Sequence, residues 1–539
     1  MSASDSGRRP WRRAVAMAAA CLLLSVLPAT AASAGGGHGG GGGGGHHGTG
    51  CERRTNNTYD KVLQCMTVDG VREHQAAFQA IADQNGGIRA AGTPGYDASV
   101  DYVVETMEAA GWIVTLDEFD YLFTPPAVLQ QLTPILATYA TGAFTGTGFG
   151  EVSGNVIPVD INLVPPRAST SGCEAADFAA LDFSGLADIA LIQRGTCPFA
   201  DKAINAEAAG AEAVIIFNQG DTPDREGLII GTLGALEVVD IPVVGASFAD
   251  GSALAEAGST AFVDVDPPEP RPQVNVIAEL PGRNAGNVVM AGAHLDSVQQ
   301  GPGIQDNGSG SAVLLEAAQV LAKLRPHNTL RFAWWGAEED GLLGSAAYVD
   351  GLSVEERERI ALYLNFDMVG SPNHIFMIYD GDESGFPAPV PVPEGSVAIE
   401  DLFESFFTSQ DEPYDDAEFS GRSDYEAFIL NGIPAGGLFT GAEVVKSPEQ
   451  AAIWGGTAGE QFDPCYHLAC DTFDNVNLHA LDVNGDAVAF AVLTYAYSTE
   501  SVNGVPGQRV PGHFHLPAPA GPEGTTPSGG GHEDARQLL

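Results

Sequence analysis

The chain has 539 residues, 44% of them apolar, and its 70 acidic against 24 basic side chains leave a formal net charge of -46. That length is enough for two or more domains, each with its own core. So acidic a balance argues against nucleic acid or an anionic membrane surface as a partner, and it names no substrate.

In chain order, the first segment carries Arg8, Arg9, Arg12 and Arg13, the apolar run AVAMAAACLLLSVL and the small-residue stretch ATAASA. Together they predict a secretory signal peptide over residues 1–34 and an extracellular location. The apolar run is shorter than the roughly 20 residues a spanning helix needs, and no later window is long and apolar enough, so no membrane span is expected. The arginine pairs leave both the general and the twin-arginine export routes open. Residues 35–50, GGGHGGGGGGGHHGTG, read as a flexible spacer. The Pro- and Gly-rich residues 501–539 predict a disordered tail.

Between these ends, VREHQAAFQAIADQNGG predicts a helix, and ASVDYVVETMEAAGWIVTL a helix running into a strand, within a first folded segment over residues 51–124. Over residues 125–271 the chain turns to short β-like runs such as IALIQRG, AVIIFN and IPVVGAS around one alanine-rich helix, KAINAEAAGA. From Val274 the runs NVIAELPG, NVVMAGAHLDS, LRFAWWGAEEDG and ALYLNFDMVG alternate with helical patterns such as SGSAVLLEAAQVLAKL. Strands alternating with helices predict an α/β domain with a mostly parallel sheet over residues 272–500.

Of the cysteines, Cys21 falls in the signal peptide, and the even remainder, Cys51, Cys65, Cys173, Cys197, Cys465 and Cys470, falls into three sequence-local pairs. That is the simplest of fifteen connectivities, and it fits disulfides in an exported protein, with free buried thiols as the alternative.

Polar residues stand at the ends of the successive strand candidates, where parallel sheets build their sites. VVMAGAHLDS ends in His294 and Asp296, LRFAWWGAEED in Glu338 and Glu339, and LYLNFDM carries Asp367; Asp306 lies in the loop GIQDNGSG and His467 in CYHLACDT. Singly, each has a plain reading: Asp306 as a helix N-cap, Asp367 as a turn former, His467 as a surface residue. Jointly, carboxylates and histidines at separate strand ends match what a pair of zinc ions needs, with Asp306 the natural bridging carboxylate.

The motifs AHLDSV, IQDNGSGSA, LRFAWWGAEE, LNFDM, GRSDY, GLFTG, WGGTAG and CYHLACDT resemble the M28 family of co-catalytic zinc aminopeptidases, especially its secreted bacterial leucine-type branch, over residues 70–120 and 274–495. The resemblance implies a zinc exopeptidase domain with helices on both sheet faces. It implies an enzyme that removes the N-terminal residue of peptides or proteins, with preference for large apolar residues such as Leu. Two zinc ions are implied, one held by His294, Asp306 and Asp367, the other by Asp306, Glu339 and His467. Glu338, left free of metal, would take a proton from the attacking water and return it to the leaving amine. Asp296 would orient the His294 imidazole. Tyr466 would donate to the developing oxyanion, Arg422 would lie near the substrate carbonyl, and Met368 and Phe439 would line the side-chain pocket. An exposed ion pair is the competing reading of Arg422, and core packing that of Met368 and Phe439. Some members also bind calcium through acidic residues; Asp482 and Asp486 stand at a suitable spacing, but the N-terminal partner position is Cys65.

IALIQRGTCPFADKAINAEAAGAEAVIIFNQ and the later IPVVGAS resemble a protease-associated (PA) domain, a noncatalytic module. As an insertion it implies a PA domain that contacts substrate or shapes access. Two readings of other classes stand beside the aminopeptidase: a ligand-depleted receptor, which the complete ligand set opposes, and a single-zinc acyltransferase such as a glutaminyl cyclase.

Overall fold

The structure is a computed structural model and describes residues 50–526 apart from 186 and 235–237. The expected signal peptide, the expected spacer up to residue 49 and the end of the expected tail from residue 527 lie outside the described residues.

Eight strands form one sheet in the order Ile113–Phe119, Gln273–Leu280, Asn328–Trp335, Asn284–His294, Ile360–Phe366, Ala435–Phe439, Met377–Tyr379, Asp415–Ala417. The four strands from Asn328–Trp335 to Ala435–Phe439 run parallel, and antiparallel strands flank them. Successive side chains of a strand face opposite sides, and here both sides are apolar because helices cover both. Val289, Ala291 and Ala293 join one core with the helices Val68–Gln84, Gly308–Leu321 and Leu478–Tyr497, while Val288 and Met290 join another with Tyr348 and Phe428. The run FAWW divides in the same way. Trp334 Nε1 donates to the Ser311 carbonyl at 3.2 Å on one side, and Trp335 Nε1 to the Tyr363 hydroxyl at 2.8 Å on the other. Burying each indole, about 200 Å² at ~25 cal/mol/Å², contributes about 5 kcal/mol before the entropy of ordering it. The fold is thus α/β, a mostly parallel sheet between helical layers.

A second sheet is inserted between the antiparallel partners Ile113–Phe119 and Gln273–Leu280. Its seven strands lie in the order Ala137–Tyr139, Val128–Thr133, Thr260–Val265, Gly150–Val159, Asp188–Gln193, Ala213–Phe217, Val243–Ala246. The chain enters and leaves through a two-residue ribbon, Leu122–Phe123 against Glu269–Pro270. The cysteines form the disulfides Cys51–Cys65, Cys173–Cys197 and Cys465–Cys470.

The reading of residues 501–539 as disordered is corrected for the part described. Val510, Phe514 and Leu516 pack against the first core, and the Phe514 ring lies 4.8 Å from that of Tyr59. Farther on, Gly524 N–H donates to Asp415 Oδ1 at 3.0 Å, and Thr525 and Thr526 N–H donate to Oδ2 at 2.8 and 3.0 Å. Proline and glycine remove helix and ladder potential, which composition reports, but a few spaced apolar anchors and one acceptor-rich carboxylate suffice to dock an extended chain. Among the described residues no helix is long and apolar enough to cross a membrane.

Candidate metal centre

Because the central strands are parallel, their carboxyl ends lie together at one edge of the sheet. His294 ends its strand opposite Trp335, two residues before the turn that carries Glu338, and Phe366 ends the neighbouring strand just before Asp367. Asp306 sits in the loop leading into the helix Gly308–Leu321. Asn307 caps that helix by accepting from Gly310 N–H at 2.9 Å, and it donates to the Phe366 carbonyl at 2.9 Å, fixing the loop to the strand beside it. A β-carbon at Gly310 would run into that same carbonyl, so close approach demands glycine there.

The two carboxylate oxygens of Asp306 face different histidines. Oδ1 lies 3.2 Å from His294 Nε2 and Oδ2 lies 3.3 Å from His467 Nε2. Asp367 Oδ1 is 3.3 Å from His294 Nε2, and Glu339 Oε2 is 2.9 Å from His467 Nε2. Glu338 also faces inward, with Oε2 3.8 Å from His294 Nε2. Asp367 Oδ1 and Glu339 Oε1 are buried and have no hydrogen-bond partner. Buried acceptors are rarely left so, because desolvating them costs about 1–3 kcal/mol each. Two imidazole nitrogens and three carboxylates around these orphaned oxygens suit zinc in donor type and number.

The electrostatics lead to the same conclusion. Burial disfavours charge on His294 and His467, yet the surrounding carboxylates win: the pKa of His294 is well above the ordinary value, and that of His467 is raised to about 11. Burial and neighbouring negative charge push Glu339 up to about 7 and Glu338 far up as well. The cluster thus balances its buried negative charge by holding protons, a balance that bound divalent metal would also supply.

Asp296 is fully buried and serves two neighbours. Its backbone carbonyl lies 3.2 Å and its Oδ1 3.6 Å from His294 Nδ1, while its carboxylate accepts from the Glu338 and Glu339 amides at 3.2 and 3.3 Å. The turn carrying both glutamates is therefore hung from the same aspartate that meets the histidine. Tyr466 stacks its ring on His467 with centroids 3.8 Å apart, and its hydroxyl accepts from Arg422 Nη2 at 3.4 Å. Arg422 Nη1 donates to Glu443 Oε1 at 2.9 Å, so the guanidinium is both ion-paired and turned toward the site. Met368 and Phe439 are each 2% exposed and pack in the second core. Asp482 and Asp486 share one helix; Asp486 Oδ1 is buried without a partner, and Cys65 is tied up with Cys51.

Four buried groups beside the centre have no counterpart in the sequence reading. Ser423 donates to Asp367 Oδ2 at 2.6 Å and accepts from Asn365 Nδ2 at 2.8 Å. Asp424 is buried, and burial raises its pKa to about 7. Asp471 accepts from the Gln305 and Asp306 amides at 2.9 and 3.0 Å. Arg89, fully buried, donates to the carbonyls of Leu295, Pro302 and Gly303. The motifs GRSDY and CYHLACDT contain three of these residues, so the signal was a polar residue within two positions of a singled-out one. Positive φ angles at Ala337, Met368 and His467, each at or beside a singled-out residue, were invisible in sequence.

Comparison with known proteins gives concordant results. Residues 275–492 match the model of peptidase family M28, and residues 153–254 match the PA domain. An aminopeptidase of Pseudomonas aeruginosa strain PAO1 is 47% identical over 449 residues, covering 82% of this chain and 83% of the relative. Leucine aminopeptidase 2 of Trichophyton rubrum is 46% identical over 336 residues, covering 61% of this chain and 66% of its own. Among solved structures, BSAP, a zinc aminopeptidase from Bacillus subtilis, superposes with a TM-score of 0.58 at 27% identity, covering 79% of this chain and 94% of that one.

Proposed function

The chain belongs to peptidase family M28 and is a metallo-aminopeptidase with a PA domain, and we propose further that it is secreted, works with two zinc ions and prefers large apolar N-terminal residues such as Leu. The observation that carries the two-ion reading is Asp306, whose oxygens are divided between His294 and His467. In this reading His294, Asp306 and Asp367 hold one ion, and Asp306, Glu339 and His467 the other. Bound zinc supplies Lewis-acid polarisation of the scissile carbonyl and makes water a stronger acid.

The chain's own residues carry the rest. Glu338, held by its amide on Asp296, accepts the proton of the attacking water and delivers it to the leaving amine. The Tyr466 phenol donates to the oxyanion, steadied by Arg422, with the Cys465–Cys470 disulfide closing the loop that presents it. Met368 and Phe439 form the apolar wall for the first side chain, and the fungal relative's name supports leucine as that residue. Three disulfides support an oxidising, extracellular setting. The peptidase domain comprises residues 51–124 and 272–500, and the PA domain, residues 125–271, meets longer substrates.

The test pairs zinc content per chain after dialysis with a panel of aminoacyl arylamides, N-blocked peptides and acetylated amino acids. Two zinc ions with hydrolysis confined to free amino termini, fastest for leucyl, is the expected result. One zinc ion per active chain, or cleavage of blocked substrates, would overturn it.

A further inference from the structure

Away from the metal centre, the helix Ser396–Ser409, the strand Asp415–Ala417 and the loop after Met377–Tyr379 bring five carboxylates together. Oxygens of Glu400, Glu404 and Asp416 lie within 4.8 Å of one another, as do those of Asp380, Asp382 and Glu400, so Glu400 belongs to both groups. All but Asp382 are buried.

Part of this acceptor capacity is used by the fold. Gly381 and Asp382 amides donate to Glu400 Oε2, both at 3.0 Å, and the Gly385 and Phe386 amides donate to Asp380 Oδ2, both at 2.8 Å. Asp416 differs. It is only 5% exposed, and no hydrogen-bond donor among the described residues meets its carboxylate. Its Oδ2 points at the loop bearing Asp380 and Asp382, where a β-carbon on Gly385 would come within 2.7 Å of it. No Lys, Arg or His among the described residues forms an ion pair with any of the five.

Buried carboxylates this close cannot all stay ionised without a partner; they take up protons or hold a cation. Burial and mutual repulsion already push Glu400 up to about 9, and Glu404 and Asp416 to about 7. The groups therefore compete for positive charge at neutral pH. With oxygen donors alone, no histidine or thiolate, and contributions from a helix, a strand and a loop, the set suits a hard ion of flexible coordination.

We propose that Glu400, Glu404 and Asp416, with Asp380 and Asp382 alongside, form a calcium site separate from the zinc centre and from Asp482 and Asp486. Its ion would join the helix Ser396–Ser409 to the last two strands of the sheet, of three residues each and too short to be secure alone. Met377 of one of them pairs with Phe439. Asp415, next to Asp416, holds residues 524–526. The site thereby fixes the sheet edge beside the apolar wall and the anchor of the tail.

The test titrates calcium chloride into full-length, chelator-treated protein reloaded with zinc, followed by calorimetry and thermal unfolding at pH 7.5. One saturable calcium ion per chain with a rise in Tm is expected. Asp416→Asn should weaken that binding at least tenfold, and Glu400→Gln combined with Asp416→Asn should abolish both heat and Tm rise. Asp486→Asn should leave them intact. If the double variant does not fold, equilibrium dialysis of radioactive calcium against Asp416→Asn decides. No calcium binding up to 10 mM, about tenfold above the Kd of the weakest extracellular sites, or undiminished binding in the Asp416 variants, would overturn the site.

Discussion

The Tyr121 hydroxyl donates to Asp340 Oδ2 at 2.7 Å, joining the neck of the inserted domain to the turn that presents Glu338 and Glu339. Tyr121 is buried with Phe119, Phe123 and Ala337, and the Arg271 guanidinium lies 3.7 Å over the Phe123 ring. The neck therefore braces the turn at Asp340, in addition to the hold of Asp296 on the Glu338 and Glu339 amides. A hydrogen bond to a carboxylate contributes about 1.5–3 kcal/mol. Tyr121→Phe should lower kcat for a leucyl arylamide about tenfold, with KM and zinc content unchanged. Unaltered kcat would show that Asp296 alone holds the turn.

Removing the proton acceptor and removing the bridge should have separable effects. Glu338→Gln keeps the side chain's shape but cannot accept a proton, so turnover should fall about 10²- to 10⁴-fold while two zinc ions stay bound. Asp306→Ala deletes the carboxylate that, alone among the described residues, pairs with both histidines, and should empty both positions. Near-normal turnover in the first variant would remove Glu338 from its role, and two retained ions in the second would reassign the bridge.

Legibility in the sequence followed from how locally each feature is encoded. Strand ends could be read because apolar runs stop abruptly at His294, Glu338 and Asp367, and parallel topology then brings those ends together whatever the loops do. Ser423 and Asp424 could not be read, because their roles depend on a loop returning to Asp367 across 56 residues from Ser423. Arg89 was hidden for the same reason: it contacts Leu295 and Pro302 from more than 200 residues away. The part of the tail that is described, up to residue 526, was misjudged because composition reports the absence of regular structure and says nothing of anchoring by Phe514 or acceptance by Asp415.

Stability should fall in acid partly through His74. Burial holds its pKa down at about 4, and its Nδ1 lies 2.7 Å from the Tyr102 hydroxyl. In the unfolded chain its pKa is about 6.5. Between these values the unfolded state binds more protons, so the contribution is complete above pH 6.5 and disappears as pH falls to 4. Full loss amounts to about 3 kcal/mol. Between pH 6.5 and 4.5, Tm of the natural chain should decline more steeply than that of His74→Gln. Parallel declines would mean that His74 is protonated in the folded state.

Excising the inserted sheet tests what it does for catalysis. Val128 and Asp264 are direct antiparallel partners, so the chain leaves and returns at nearly the same point, and a short glycine turn can replace residues 128–264 without stretching the neck. Tyr121, Phe123 and Arg271 stay in place, and with them the brace on Asp340. Every group assigned to chemistry lies outside the excised stretch. Hydrolysis of a leucyl arylamide should therefore remain within about tenfold of the full chain, the range that loss of one positioning contact accounts for. Rates on longer peptides should change by more, because only these extend far enough to meet the missing sheet. A folded, zinc-loaded excision variant unable to cleave the arylamide would instead make the inserted domain part of the active site.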